Sequence, residues 1–243
     1  MSSAYAALGA IQVRRGHWQE AEDLFRKALS LEPDNPDTLH SYSSMLSAVG
    51  RLNEALALRV QLRTIEPFAP LYNIITADVM RIAGQNGAAI AILQTIPPET
   101  ANYNRNATLA AIYAQQGQYG KAADTVLNIH TQVARETVER AAQILRGAPT
   151  KVEDSKDLPA INNELNFVYA HVGALQRVME YPERAARLGN ASEIRQLWDA
   201  TYAPLRKTDR FKRLVREAGM VEYWRVRGWP DRCRPMGPDF MCD

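Results

Sequence analysis

Cysteine is almost missing from this 243-residue chain, because its two cysteines, Cys233 and Cys242, both lie among the last eleven residues. Two thiols so close to one end cannot form the disulfide framework that holds small secreted domains together. Two cysteines alone also make a poor zinc site. We therefore expect reduced thiols in the tail, with a disulfide or a share in a metal site as alternatives. The start of the chain lacks the basic and then apolar build of a signal peptide, so a cytoplasmic location is expected.

Long apolar runs and an excess of one charge are also missing. No stretch approaches the roughly 20 apolar residues that a membrane-spanning helix needs. The formal net charge is only +2, and binding to nucleic acid usually requires a marked positive excess. Residues 204–234 do carry ten Lys or Arg and four Asp or Glu, close to Trp224 and Trp229. These tryptophans could stack on nucleic-acid bases or cover the end of the helical array, and we favour the second role. Nucleic-acid binding is therefore predicted to be unlikely.

Motifs that carry catalysis are not found either. The four histidines are scattered along the chain: His17, His40, His130 and His171. None belongs to an H-E-x-x-H motif, and the chain has neither a Cys-x-x-Cys pair nor a glycine-rich phosphate loop. No nucleophile stands in a recognisable elbow. The sequence therefore predicts a protein that is not an enzyme, with no catalytic residue, no cofactor and no metal site.

What the chain does contain is an internal repeat. Gly16, Gly50, Gly84 and Gly117 recur at intervals of 34, 34 and 33 residues, each between two segments with apolar patterning. A period of this length indicates stacked helical units. The units occupy residues 2–35, 36–69, 70–102 and 103–136. The first unit has the most complete pattern: Tyr5, Leu8, Gly9, Gly16, Trp18, Ala21, Phe25, Ala28 and Pro33.

This pattern closely resembles the tetratricopeptide repeat. The resemblance implies an all-α fold, a right-handed superhelix of helix-turn-helix pairs. Small residues such as Gly9 let the two helices of a pair approach, and large ones such as Leu8 and Phe25 are expected to fill the space between pairs. Arg59 stands where the second unit should have a large apolar residue, which predicts a weaker interface. Charged residues such as Glu22 are expected on solvated outer faces.

Residues 137–243 are predicted to form degenerate repeat-like helices and a helical C-terminal cap. Helices are expected over residues 131–146 and 161–175, with a polar loop over residues 147–159 between them. Thr208 can cap a helix that Gly219 ends, and Tyr223 and Trp224 lie on a final short helix. Residues 197–206, 209–219 and 223–235 resemble the C-terminal end of bacterial tetratricopeptide proteins that carry a nucleotide cyclase or winged-helix domain. That resemblance implies a sensory or interaction region in signalling, although neither domain's own signature is found.

The repeat resemblance also implies that ligand-facing residues come from the first helix of each unit. The alanines at these positions predict a roomy groove: Ala6, Ala10, Ala48, Ala107, Ala111 and Ala114. The candidate partner-binding residues are Arg14, Asp37, His40, Ser44, Asp78, Arg81, Asn104 and Gln115. We expect a scaffold that binds a peptide or helix of another protein there. The alternative is a module that senses a small ligand, and the apolar edge of residues 4–14 could also self-associate.

Overall fold

A computed structural model describes residues 1–153 and 155–243, and it is mostly helical. The first eight helices follow the predicted repeat. They are α1 (Ser2–Arg14), α2 (Trp18–Leu31), α3 (Pro36–Ala48), α4 (Leu52–Ile65), α5 (Pro70–Ile82), α6 (Asn86–Gln94), α7 (Asn102–Gln115) and α8 (Tyr119–Leu127). Helices α1 and α2, α3 and α4, and α7 and α8 pack as pairs, so paired helices are confirmed for the first, second and fourth predicted units.

The remaining elements are shorter. The α-helices are α9 (Arg135–Gly147), α10 (Glu180–Arg187), α11 (Ala203–Arg206), α12 (Asp209–Glu217) and α13 (Met220–Arg227). The 3₁₀ helices are Ser155–Asp157, Glu164–Val172, Leu175–Met179, Ala191–Trp198 and Ala200–Tyr202. Strands β1 (Cys233–Met236) and β2 (Asp239–Cys242) form an antiparallel hairpin. Among the described residues, no helix is long and apolar enough to cross a membrane.

The repeating glycines end the first helix of each pair, as predicted. Gly16, Gly50, Gly84 and Gly117 have positive φ angles of 74°, 84°, 86° and 73°. At the first of these turns, the amide of His17 donates to the carbonyl of Gln12 at 2.9 Å, which closes the turn in the manner of a Schellman cap. The residue after each of the other three glycines makes the same bond to the carbonyl five positions earlier. Because L side chains rarely adopt this backbone conformation, glycine is required there.

Close packing within and between pairs follows the predicted division into small and large residues, with one exception. A Cβ atom at Gly9 would lie 2.9 Å from the Phe25 ring, so only glycine lets α1 and α2 approach this closely. Phe25 is fully buried and stacks on Tyr42 of α3, with the ring centroids 5.6 Å apart. The prediction for Leu8 was wrong, because 49% of that residue is exposed.

The chain folds into two compact units. Unit 1 comprises residues 1–72 and 182–243, and unit 2 comprises residues 73–181. The predicted organisation, with four repeats over residues 1–136 and a terminal region over residues 137–243, is a statement about sequence periodicity. It stays a prediction beside this spatial division.

In unit 1 the C-terminal helices pack against the ends of α1 and α3. The indole of Trp198 donates to the carbonyl of Ala48 at 2.9 Å, and the indole of Trp224 donates to the carbonyl of Val49 at 2.9 Å. Trp18 donates in the same way to the carbonyl of Ala218 at 2.5 Å. The last carbonyls of a helix have no partner within the helix. The indoles of Trp198 and Trp224 therefore satisfy two orphan acceptors of α3 while they bury their rings.

Unit 2 has its core among α7, α8 and α9, which pack in succession. The 3₁₀ helix Glu164–Val172 lies on α9 and α7, and its Glu164 accepts a hydrogen bond from the Tyr103 hydroxyl. The amide side chain of Asn102 joins the end of α8 to the segment that follows. It donates to the carbonyl of Asn128 at 3.1 Å and accepts from the amide of His130 at 3.1 Å.

Several expectations for the C-terminal part need correction. The segment 161–175 contains a 3₁₀ helix, Glu164–Val172, instead of a full first repeat helix. The helix predicted over residues 131–146 begins only at Arg135. The loop over residues 147–159 contains a short 3₁₀ helix, and its Asp154 lies outside the described residues. The caps at Thr208 and Gly219 are confirmed.

The tail is a hairpin closed by a disulfide, so the predicted reduced thiols were wrong. Cys233 and Cys242 face each other as register partners of β1 and β2 and are bonded to each other. Phe240, between them in sequence, is fully buried, with its ring centroid 5.6 Å from that of Trp224 and 5.8 Å from that of Trp229. The hairpin therefore belongs to the aromatic core of unit 1.

Candidate functional site

Three of the predicted partner-binding residues come together in unit 1 as a polar cluster, defined here as Asp37, His40, Ser44, Arg59 and Tyr72. Arg59 donates to the hydroxyl of Ser44 at 2.7 Å, and its guanidinium lies 3.0 Å from Nδ1 of His40. The Tyr72 hydroxyl donates to Asp37 at 2.6 Å, and its ring centroid lies 5.0 Å from that of His40. Asp37 is exposed, whereas Arg59 is fully buried. The cluster therefore runs from an exposed carboxylate to a buried guanidinium.

The sequence missed two residues of this cluster, Arg59 and Tyr72, and Arg59 makes more of its contacts. Its position in the repeat, which normally carries a large apolar side chain, suggested only a defect in packing. In the structure its guanidinium organises the polar side chains of α3, because it also donates to the backbone carbonyl of His40 at 3.3 Å. A buried charge is tolerated when hydrogen bonds replace its water. The departure from the repeat pattern was thus the signal that could have identified the cluster.

Replacing His40 with asparagine is expected to flatten the dependence of unit 1 stability on pH. Burial, followed by the positive charge of Arg59, lowers the pKa of His40 from 6.5 to about 4, although Asp37 acts in the opposite direction. Between pH 6.5 and pH 4, His40 takes up a proton in the unfolded chain but not in the folded chain. The stability of the wild-type protein therefore falls as the pH is lowered from 6.5 towards 4, by roughly 3 kcal/mol in all.

The measurement is urea denaturation at several pH values, followed by tryptophan emission. This signal reports unit 1, because all four tryptophans lie in it: Trp18, Trp198, Trp224 and Trp229. A His17→Asn variant is the control, because the His17 side chain is 60% exposed, and it should keep the wild-type slope. Equal slopes for His40→Asn and the wild type would show that His40 does not cause this dependence.

Four predicted residues lie in unit 2: Asp78, Arg81, Asn104 and Gln115. Arg81 forms an ion pair with Asp78 at 2.9 Å along α5, and only 7% of Arg81 is exposed. Gln115 accepts a hydrogen bond from Asn86 at 3.2 Å. Asn104 is partly exposed on α7, and its backbone carbonyl accepts from Thr108. The structure thus pairs Asp78 with Arg81 and leaves Asn104 and Gln115 near opposite ends of α7.

The alanines that predicted a roomy groove are mostly buried. Ala6, Ala107 and Ala111 are 6–8% exposed, and Ala48 and Ala114 are at most 1% exposed. In unit 1 the 3₁₀ helix Ala191–Trp198 packs against α3 and α1. The chain's own C-terminal segment therefore covers part of the first-helix surface at which the sequence predicted a partner.

A second site that the sequence missed is a buried charge network around Glu22. Glu22 is fully buried and accepts hydrogen bonds from Arg26 at 2.7 Å, Tyr42 at 2.8 Å, and Arg51 and Tyr223 at 3.1 Å each. Burial alone would raise the pKa of Glu22, but the Tyr42 hydrogen bond and the charges of Arg51 and Arg26 outweigh it and lower the pKa. The predicted solvated position was wrong, because α13 packs against α2 and covers the carboxylate.

Arg14, the eighth predicted residue, lies apart from the polar cluster on a surface cavity of unit 1, which we call the arginine cavity. Its volume is about 510 Å³. It is bounded by the end of α1, by α10 and by α12. The charged residues that line it are Arg14, Arg15, Arg187, Arg210, Arg213, Glu183 and Glu217. The small residues that line it are Gly16, Ala186, Gly189, Ala191, Ala218 and Gly219.

The basic C-terminal region mostly serves the fold. Trp224 is fully buried, so its ring cannot stack on a base. Arg206 is also buried, and it donates to the carbonyls of Leu197 and Asp199 at 2.7 Å each. Lys212 binds Asp239 at 2.7 Å. In the described part of the chain, no group of three or more His, Cys, Asp or Glu could hold a metal ion.

Comparison with known proteins supports the repeat at one place in the chain. The tetratricopeptide repeat family matches residues 2–35, which are α1, α2 and the turn that follows. No curated protein matches the chain. The matched unit, together with the paired helices, indicates protein–protein interaction in general terms. Proteins of this family usually have no catalytic role.

Proposed function

We propose that this protein is a non-catalytic scaffold that binds a polypeptide partner on the surface formed by the first helix of each repeat. The observation that carries the proposal is the polar cluster, in which three predicted partner-binding residues of α3 are held by Arg59 and Tyr72. Side chains whose positions are set by such contacts bind with less loss of conformational entropy than free side chains. The tetratricopeptide match over residues 2–35 supports the same class of function.

The exposed end of the cluster is the part that can contact a partner. Asp37 accepts one hydrogen bond, from Tyr72, and an ionised carboxylate has about four acceptor sites. It can therefore take a further donor, such as a Lys or Arg side chain or a backbone amide of the partner. In unit 2, the partly exposed Asn104 has an amide group that can both donate and accept. These groups suit an extended peptide with unsatisfied backbone groups.

The test begins with selection of binding peptides from a random library, using the purified full-length chain. The affinity of a selected peptide is then measured for the wild type and for Asp37→Ala. We expect the substitution to weaken binding by about tenfold, which corresponds to about 1.4 kcal/mol. The matched control is Glu20→Ala. Glu20 is also an exposed carboxylate in the first turn of a helix, but α2 is the second helix of its repeat, whereas α3 is the first helix of its own.

The control should bind the peptide as the wild type does. Failure to select any peptide, or equal affinities for Asp37→Ala and the wild type, would contradict binding at this surface. Equal weakening by both substitutions would indicate a general charge effect. Tryptophan emission and circular dichroism of each variant should be unchanged, because neither carboxylate belongs to the core.

Three further predictions stay open beside the scaffold. The resemblance of the C-terminal end to regulators with cyclase or winged-helix domains suggests a sensory module in a bacterial signalling protein, and the arginine cavity favours that alternative. The exposed Leu8 and Ile11 on α1 offer an apolar edge for self-association. A cytoplasmic location also remains a prediction, although a disulfide such as Cys233–Cys242 is rare in that reducing compartment.

A further inference from the structure

The arginine cavity combines two features that are independent of each other, its shape and its charge. All the residues that line it belong to unit 1, and they come from α1, α10, α12, the turns beside them and the start of the 3₁₀ helix Ala191–Trp198. Its volume of about 510 Å³ falls within the range of roughly 300 to 1,000 Å³ that is common for small-molecule sites. The cavity is therefore large enough for a small organic molecule and not only for a single inorganic ion.

Positive charge inside the cavity exceeds negative charge. Arg210 and Glu183 neutralise each other through two hydrogen bonds of 2.6 and 2.7 Å. The other four arginines make no hydrogen bond or ion pair with any residue that the structure describes, and all four are exposed: Arg14, Arg15, Arg187 and Arg213. The carboxylate that remains to oppose them is that of Glu217.

A structural explanation accounts for part of this charge. Basic residues stabilise the C-terminal ends of helices, and Arg14 and Arg187 are the last residues of α1 and α10. Each helix end carries about half a negative charge, and α1, α10 and α12 all end at the cavity. These three ends and Glu217 offset only part of the four guanidinium charges. The positive charge that remains has no counterpart among the residues that line the cavity.

The walls of the cavity are held in place by backbone contacts. A Cβ atom at Gly219 would lie 3.1 Å from the carbonyl of Gly16, so the turn after α1 touches the turn before α13. Trp18, directly after the first turn, donates to the carbonyl of Ala218 at 2.5 Å. The guanidinium groups of Arg14 and Arg213 therefore extend from elements whose spacing is set before any ligand binds.

We propose that the arginine cavity binds a small anion that carries two or more phosphate or carboxylate groups. The guanidinium group presents a planar fork of donors that fits both groups bidentately. Glycine and alanine on the walls leave room for the ligand to approach the backbone. None of the described lining residues is aromatic, so the cavity offers no ring on which a nucleobase could stack. A compact aliphatic polyanion fits better than a nucleotide.

The test measures binding of tripolyphosphate and of citrate to the full-length chain by isothermal titration calorimetry at 50 and 200 mM salt. We expect at least one probe to bind, and to bind more weakly at high salt. The double variant Arg14→Gln/Arg187→Gln should lose at least about tenfold in affinity, because two charge-assisted hydrogen-bonding groups are removed. Stronger binding of tripolyphosphate or of citrate would identify phosphate or carboxylate as the preferred group.

The matched control is Arg184→Gln/Lys207→Gln, which removes the same amount of charge. Arg184 lies on α10 beside Arg187, and both control residues are exposed without lining the cavity. The control should bind within about twofold of the wild type, and Arg14→Lys/Arg187→Lys should recover part of the lost affinity. Unchanged tryptophan emission would show that unit 1 is folded in every variant.

Three outcomes would overturn the proposal. The first is no binding of either probe by the wild type at millimolar concentration. The second is an equal loss in the cavity variant and in the control, which would mean attraction by overall charge alone. The third is binding of a polyglutamate peptide or of single-stranded DNA while both small anions fail, which would assign the surface to a macromolecule. Because the peptide assay depends on Asp37, its result stays distinguishable from all three.

Discussion

Replacing Glu22 with glutamine is expected to lower the free energy of unfolding of unit 1 by about 3 to 5 kcal/mol. Glu22 is fully buried, and its carboxylate accepts hydrogen bonds from both Arg26 and Arg51. Glutamine keeps the shape but removes the charge, so the Arg51 guanidinium, with a side chain only 9% exposed, loses the more buried of its two carboxylate partners and keeps only Glu54, at 2.6 Å. The neutral amide can also accept from only one of its two terminal atoms.

The measurement is urea denaturation followed by tryptophan emission, which reports unit 1. Glu20→Gln is the matched control, because it is the same substitution two positions away on α2 and the Glu20 side chain is 57% exposed. We expect the control to change stability by less than about 0.5 kcal/mol. A loss below about 1 kcal/mol for Glu22→Gln would contradict the role assigned to the buried network.

The same network sets a direction for the effect of acid. Because the folded chain holds the pKa of Glu22 below its ordinary value, the ionised carboxylate stabilises unit 1 above that ordinary value. This contribution is lost as the pH falls through the lowered pKa. Stability of Glu22→Gln should therefore depend less on pH below about 4.5 than the stability of the wild type does.

Replacing Trp198 with alanine is expected to have an effect of similar size, about 3 to 5 kcal/mol in the stability of unit 1. Trp198 is fully buried, with its ring centroid 5.6 Å from that of Phe211 and 6.0 Å from that of Trp224. Alanine leaves a large cavity in this aromatic core. It also removes the donor to the carbonyl of Ala48, which lies 150 positions away in sequence.

Two further variants separate these causes. Trp198→Phe keeps most of the buried ring and removes only the indole donor, so we expect it to cost about 1 to 3 kcal/mol. Leu188→Ala is the control for an apolar truncation in the same region, because Leu188 is 76% exposed, and its effect should stay within about 0.5 kcal/mol. Urea denaturation with the remaining tryptophans as probes measures all three. Equal stability of Trp198→Ala and the wild type would show that the C-terminal segment does not stabilise α3.

The polar cluster and the arginine cavity lead to different experiments because they depend on different residues. Asp37 belongs to the first turn of α3, whereas Arg14 and Arg187 end α1 and α10. Loss of peptide binding in Asp37→Ala with intact anion binding would support a scaffold that also carries a ligand site. The reverse result would favour the sensory alternative. The peptide assay and the anion assay together therefore distinguish the scaffold from the sensory module.

The sequence predicted some members of the candidate sites and missed their partners. Asp37, His40 and Ser44 were predicted because their positions in the repeat alone place them on the ligand-facing side of α3, the first helix of its repeat. Arg59 was passed over, since the repeat pattern treats it only as a missing apolar residue. Arg14 was expected beside the others in a groove. It lies on the arginine cavity instead, because residues of α10 and α12 border the same cavity as the end of α1.

By itself, the sequence determined the helix pairs of this protein and the glycine turns between them. These features depend on residues at most one repeat apart, such as Gly9 with Phe25, so a local period contains the information. Only the tertiary structure decided that Glu22 is buried and that the C-terminal helices cover α3. The hydroxyl of Tyr223 lies 201 positions from Glu22 in sequence. No local pattern encodes such a contact, because it arises when a distant segment buries its own aromatic residues on the repeat.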